Sequence, residues 1–105
     1  MVRVSLQAKI MNLIGGITDP TIRMDIASTI NYLFQVYTSG GANESEIRDS
    51  LYEVCRDVIS ALYPDLIEEE VRKRSAKMAE EFIRVFRLES AYRRMASRFR
   101  FTGFR

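Results

Sequence analysis

The sequence predicts an all-α protein, a small helical bundle of three shorter helices plus one long C-terminal helix. Three observations predict this class. Apolar residues recur at spacings of three and four in four successive segments. Turn-forming pairs separate those segments at Gly15-Gly16, Asp19-Pro20, Gly40-Gly41 and Pro64-Asp65. A length of 105 residues with 47% hydrophobic content fits one compact domain with its own core.

The first helix is predicted from about Val4 to Ile14. Leu6, Ile10 and Leu13 recur at helical spacing, and the glycine pair that follows ends the helix. Alternating apolar residues at positions 2–6 leave a short strand as an alternative, although the sequence offers it no obvious partner strand.

The second helix is predicted to begin at Asp19-Pro20. Asp is a good N-cap, and Pro suits the first helical turn, where its missing N–H would be unpaired in any case. Gly40-Gly41 supplies a left-handed stop. Between these signals one wide apolar face is predicted, formed by Ile22, Ile26, Ile30, Leu33, Phe34 and Tyr37.

The third helix is predicted to open with a capping box. Asn43 can accept a hydrogen bond from the first turn, and Glu46, three residues on, can reach back to the Asn43 backbone. Pro64 closes the helix. Its core-facing seam is predicted to comprise Ile47, Leu51, Val54, Val58 and Leu62.

The fourth helix is predicted to be capped by Asp65, with Glu68 completing a second box. No Gly or Pro interrupts residues 65–102. Acid-then-base pairs four residues apart support helix formation, each by about 0.2–0.5 kcal/mol. The predicted pairs are Glu68–Arg72, Glu69–Lys73, Glu70–Arg74, Glu80–Arg84 and Glu89–Arg93.

The length of this last helix predicts assembly. A helix from Leu66 to Arg100 would span about 52 Å, whereas a domain of this size has a radius of gyration of about 13 Å. We therefore expect it to project, kink or pack on a second copy in a homodimer, with a break near Leu88–Ala91 as the alternative. Residues 78–86 are expected to enter the core. The predicted oligomer interface comprises Val71, Met78, Phe82, Val85, Tyr92 and Phe99.

The composition leaves little catalytic chemistry. There is no His and only one cysteine, Cys55, which we expect to be a buried thiol. His catalysis, Cys–His pairs, intrachain disulfides and thiolate metal clusters are therefore excluded. The glycine pairs lack phosphate-loop spacing. Glu69, Glu70, Glu80 and Glu81 are interpreted as a solvated ion-pair face. We predict a non-enzymatic protein with no metal, no cofactor and no evident small-molecule substrate.

Charge is distributed unevenly along the chain. Residues 43–89 hold eight basic and twelve acidic side chains, whereas residues 90–105 hold five Arg and no acid. We therefore divide the chain into a helical domain at 1–91 and a basic, aromatic extension of the last helix at 92–105. Arg pairs well with phosphate, and aromatic rings stack on bases. The predicted DNA- or RNA-binding residues are Arg93, Arg94, Arg98, Phe99, Arg100, Phe101 and Arg105.

The same extension is compatible with three roles that involve no nucleic acid. Its arginines suit the C-terminal end of a helix dipole, its aromatic residues could pack on a second copy, and a basic aromatic face could lie on a membrane, the least favoured of the three. A helix-turn-helix is disfavoured, because the candidate recognition helix opens with three Glu. We predict a cytoplasmic nucleic-acid-binding or regulatory module, with a homo-oligomeric protein-interaction module as the alternative.

Overall fold

The computed structural model of the chain describes the backbone of residues 5–103 and the side chains of residues 5–96. It is a small all-α bundle, as predicted, and the described residues contain no strand. Residues 2–4 of the alternative strand lie outside the described residues. The helices are α1 (Leu6–Ile14), α2 (Pro20–Ser39), α3 (Glu44–Leu62) and α4 (Glu68–Gly103).

Local capping explains where the first three helices begin and end. Ser5 caps α1 through a hydrogen bond that its Oγ accepts from the Ala8 N–H at 3.1 Å. Asp19 caps α2, and Gly40 ends it with φ of +75°, a left-handed conformation that favours glycine. The capping box of α3 is confirmed, because Asn43 and Glu46 exchange side-chain-to-backbone hydrogen bonds at 2.8 and 3.0 Å.

The predicted cap of α4 is wrong. Asp65 lies in a turn in which the Leu66 N–H donates to the Tyr63 carbonyl at 3.1 Å. The helix starts only after that turn, with the Val71 N–H donating to the Ile67 carbonyl at 3.0 Å. Asp65 is therefore too far upstream to cap. The first turn is instead acidic at residues 68–70, where negative charge complements the helix dipole.

The core lies where α3 and α4, an antiparallel hairpin, are covered by α1 and α2. Burial over residues 78–86 is confirmed, with Phe82, Ile83 and Phe86 fully enclosed. Ser75 is also buried, and its hydroxyl donates to the Val71 carbonyl at 2.6 Å, which satisfies it without a partner on another helix. Cys55 is a buried free thiol, as predicted.

Cross-helix ion pairs replace part of the predicted i,i+4 set. Glu70–Arg74 is present at 3.3 Å. Glu68 instead pairs with Arg56 of α3 at 3.3 Å, and Glu80 pairs with Arg48 of α3. The predictions for Glu68 and Glu80 were therefore wrong, because arginines on the neighbouring helix reach these carboxylates across the hairpin.

Helix α4 is continuous over its 36 residues, so the predicted alternative of a break near residues 88–91 is wrong. At 1.5 Å per residue it measures about 54 Å. The molecule itself measures 59 × 28 × 27 Å. One helix therefore sets the long dimension of the protein.

Candidate interaction surface of the long helix

Helix α4 leaves the bundle after Ser90, the last side chain that is buried among those the structure describes. Residues 91–96 are all exposed, and the helix continues to Gly103. Residues 91–103, here called the arm, extend about 20 Å beyond the packed part of the helix. The division predicted between residues 91 and 92 stays a prediction.

An ion-pair cluster around Arg87 holds the part of α4 just before the arm, here called its root, on the bundle. Both Glu44 oxygens accept from the Arg87 guanidinium, at 2.5 and 2.9 Å, and Arg48 approaches the same carboxylate at 3.4 Å. The Tyr37 hydroxyl donates to Glu44 at 3.4 Å. These contacts tie the end of α2 and the start of α3 to α4, and so set the direction in which the arm leaves.

The protonation equilibria of this cluster reflect its contacts. The hydrogen bond from Arg87 is the main cause that lowers the pKa of Glu44 below its usual value, and the same bond raises the pKa of Arg87. Burial, followed by the nearby Glu44 charge, raises the pKa of Tyr37. At neutral pH the cluster is therefore a carboxylate held by two guanidinium groups and a protonated phenol.

An aromatic group lies beneath the root. The Phe86 ring meets Phe34 edge-on at a centroid distance of 5.1 Å and meets Tyr37 at 5.6 Å. The Arg93 guanidinium lies over the Phe34 ring at 4.9 Å from its centroid. Arg93, the first basic residue of the arm, therefore contacts the bundle of its own chain.

The structure describes two of the predicted nucleic-acid side chains, Arg93 and Arg94. Arg93 stacks on Phe34, and Arg94 donates to the Ser90 hydroxyl at 2.9 Å. The side chains of Arg98, Phe99, Arg100 and Phe101 lie outside the described residues, although the helix backbone runs through them, and Arg105 lies outside them altogether. Nucleic-acid binding through this set stays a prediction.

The predicted oligomer-interface residues lie in two different places. Val71, Phe82 and Val85 are buried in the core of their own chain. Met78 is half-buried, Tyr92 is 50% exposed, and the side chain of Phe99 lies outside the described residues. Tyr92 is therefore the member of the set that the structure places on the outside of α4.

An exposed apolar stripe runs from the root along the arm, and the sequence interpretation missed most of it. Leu88, Tyr92 and Met95 are 58%, 50% and 53% exposed and follow one another at spacings of four and three. They share one side of the helix. The same spacing is visible in the sequence, but the predicted seam runs from Val85 to Tyr92 and on to Phe99, and so passes over Leu88 and Met95.

The described residues form grooves on the bundle surface, of which we compare a pair. The first, the α2–α3 groove, has a volume of about 260 Å³ and is lined by Asp25, Ile26, Thr29, Val54 and Asp57. The second, the α3–α4 groove, consists of two adjoining hollows of about 240 and 280 Å³ that share Ile59, Tyr63 and Met78. Arg74, Lys77 and Glu81 line its wider part. The two grooves therefore differ in charge, the first acidic and the second predominantly basic.

Three of the four candidate carboxylates are engaged in ion pairs. Glu70 pairs with Arg74, Glu80 with Arg48, and Glu81 with Lys9 at 2.6 Å. The Lys9 hydrogen bond is the main cause that lowers the pKa of Glu81. Within the part of the chain that the structure describes, no three His, Cys, Asp or Glu side chains converge as a metal site would require.

Comparison with protein-family models, with curated proteins and with solved structures found no match to this chain. In the described residues, no helix combines the length and apolar character needed to cross a membrane.

Proposed function

We propose that this chain is a non-enzymatic self-assembly module whose arm, residues 91–103, packs against a second copy. One observation carries the proposal: α4 continues past the bundle, is exposed over residues 91–96, and bears a regular apolar stripe at Leu88, Tyr92 and Met95. Most helical stability in proteins comes from packing an apolar face, so a projecting helix with such a face gains stability when a partner covers it.

Charge favours the body of a second copy over its arm as the surface that is covered. The arm carries four arginines and no acid, so two arms laid together would bring only positive charges into contact. Residues 43–89 have an excess of four acidic side chains. Arm-to-body packing joins opposite charges, whereas arm-to-arm packing joins like charges.

Nucleic-acid binding remains the competing hypothesis, and the sequence supports it through the same arginines. Two described features count against it as the main role. Arg93 and Arg94 already make contacts within their own chain. The stripe also presents Leu88 and Met95, whose side chains have no hydrogen-bonding group for phosphates or base edges.

The test is sedimentation of the full chain over a range of concentrations, comparing the native protein with the double variant Leu88→Ser, Met95→Ser. Both side chains are about half exposed, so covering each one in a dimer contributes about 1 kcal/mol to the free energy of association. Two reciprocal arms would present four such side chains. The variant should raise the dissociation constant of the dimer by at least about tenfold. It keeps all arginines, so phosphate binding should not change.

A matched control removes apolar side chains of similar exposure elsewhere. Met24 and Ile67 are 69% and 67% exposed, so Met24→Ser with Ile67→Ser should leave the sedimentation mass unchanged. A second measurement, the fluorescence anisotropy of labelled single- and double-stranded oligonucleotides at two salt concentrations, reports nucleic-acid binding by the same proteins. A monomeric native chain would overturn self-assembly. If it also bound oligonucleotides with a steep salt dependence, lost in Arg98→Glu with Arg100→Glu, nucleic-acid binding would replace it.

A further inference from the structure

We infer that the arm of one copy docks in the α2–α3 groove of a second copy, with reciprocal exchange of the two arms. This inference rests on the self-assembly proposed above and names the receiving surface. The groove combines an apolar floor of Ile26 and Val54 with an acidic rim of Asp25 and Asp57. The far part of the arm combines Phe99 and Phe101 with Arg98 and Arg100 in the sequence, which is the complementary pattern.

Charge distinguishes this groove from the α3–α4 groove. Asp25 and Asp57 are both exposed, and no basic side chain lines the α2–α3 groove within the described residues. The α3–α4 groove carries Arg74 and Lys77 against Glu81. An arm that carries arginines and no acid is attracted to the acidic groove and not to the predominantly basic one, so electrostatic complementarity favours the α2–α3 groove over the α3–α4 groove.

The acidic rim continues along the surface of α3. Glu46, Glu53 and Asp57 follow one another at spacings of seven and four residues, which places them on one side of the helix, and all three are exposed. They extend over about 16 Å. This acidic ridge runs from the start of α3 to the groove, so a basic helix that lies along this side of α3 faces three carboxylates.

An arm cannot reach the groove of its own chain in this arrangement. It departs from the end of the bundle where α2 stops and α3 begins, next to Tyr37 and Glu44. The groove lies toward the opposite end, between the first half of α2 and the second half of α3. The arm points away from its own groove, so the occupant comes from another copy.

The lengths agree with a reciprocal dimer. From Ser39, the last residue of α2, to Thr29 and Asp25 is about 15 and 21 Å along the helix. The arm is about 20 Å long. Two bundles that meet end to end, related by a two-fold axis, would therefore each extend an arm as far as the partner's groove. Such an exchange is isologous and closes at two copies.

A charge-swap experiment on the full chain tests this directly. The groove variant is Asp25→Arg with Asp57→Arg, and the arm variant is Arg98→Glu with Arg100→Glu. Each variant alone places like charges against each other, and each should raise the dissociation constant of the dimer on the order of tenfold or more. In a one-to-one mixture, the basic arm meets an acidic groove and the acidic arm meets a basic groove. The mixture should therefore recover the dimer mass in sedimentation.

The control moves the same charge away from the groove. Asp65 and Glu69 are exposed and do not line it, so Asp65→Arg with Glu69→Arg should dimerise like the native chain. If the Arg variants fail to fold by circular dichroism, Asp25→Asn with Asp57→Asn replaces the groove variant and should still weaken dimerisation.

The outcomes separate this inference from the assembly proposal. If the Leu88→Ser, Met95→Ser chain loses its dimer while the groove variant keeps a native dimer, the arm assembles the protein but the α2–α3 groove does not receive it. Failure of the mixture to recover the dimer would likewise overturn the groove assignment. A native chain that is monomeric at every concentration would instead overturn the assembly proposal itself.

Discussion

Phe86 provides the sharpest test of where the core of this protein ends. We expect Phe86→Ala to destabilise the fold by about 4 kcal/mol, because large-to-small substitutions of buried Phe remove about 3–5 kcal/mol. The ring is fully buried and contacts two other rings, at centroid distances of 5.1 Å to Phe34 and 5.6 Å to Tyr37. Each such aromatic pair adds about 0.5–1.5 kcal/mol, so the upper half of that range applies.

The assay is urea unfolding followed by circular dichroism. With a slope of about 2 kcal/mol per molar urea, the midpoint should fall by about 2 M. If Phe86→Ala is too unstable to measure, Phe86→Leu should lose about 1.5 kcal/mol, because it keeps most of the apolar volume but loses the ring contacts. The control Met24→Ala, at a 69% exposed position, should change stability by no more than about 0.5 kcal/mol.

Two results would refute this reasoning. A loss below about 1 kcal/mol would mean that the ring is not enclosed as the structure has it, because a buried Phe cannot be truncated so cheaply. A loss that grows with protein concentration would mean that Phe86 packs between copies and not within one chain.

Two further predictions concern titration and accessibility. Burial raises the pKa of the Cys55 thiol to about 12, so a disulfide reagent at pH 8 should label it only as fast as the chain unfolds, and immediate labelling of the native protein would contradict the buried placement. Arg87 lowers the pKa of Glu44, so the ionised carboxylate stabilises the fold above the ordinary Glu pKa of about 4.3. That contribution is lost as pH falls through the lowered value, and Glu44→Gln should flatten the acid limb of a stability-against-pH series measured by urea unfolding.

Helix positions were largely predictable because the signals that start and stop helices are local. Asp19, Gly40 and the Asn43–Glu46 box each satisfy backbone groups within a few residues, and the structure has all of them as predicted. The failure at Asp65 has a local cause as well. Pro64 opens a turn that occupies several residues before α4 can begin, so the apparent capping signal lies too far upstream.

The candidate site was less predictable, because its features depend on what lies nearby in space. The sequence placed Val71, Phe82 and Val85 on an assembly seam, whereas the bundle encloses them, and Leu88 and Met95 were left out although they are exposed. A three-four spacing shows that residues share one side of a helix, but it does not show what covers that side.

By itself, the sequence determined the all-α class, the four helices and the charge contrast between the body and its basic extension. Each follows from periodicity, from caps within one helical turn, or from counting charges. Only the tertiary structure decided that Glu44 binds Arg87, that α4 leaves the bundle after Ser90, and that an acidic groove lies toward the end opposite to the arm. These depend on contacts between residues as many as 43 positions apart, which local pattern cannot encode because packing between helices selects them.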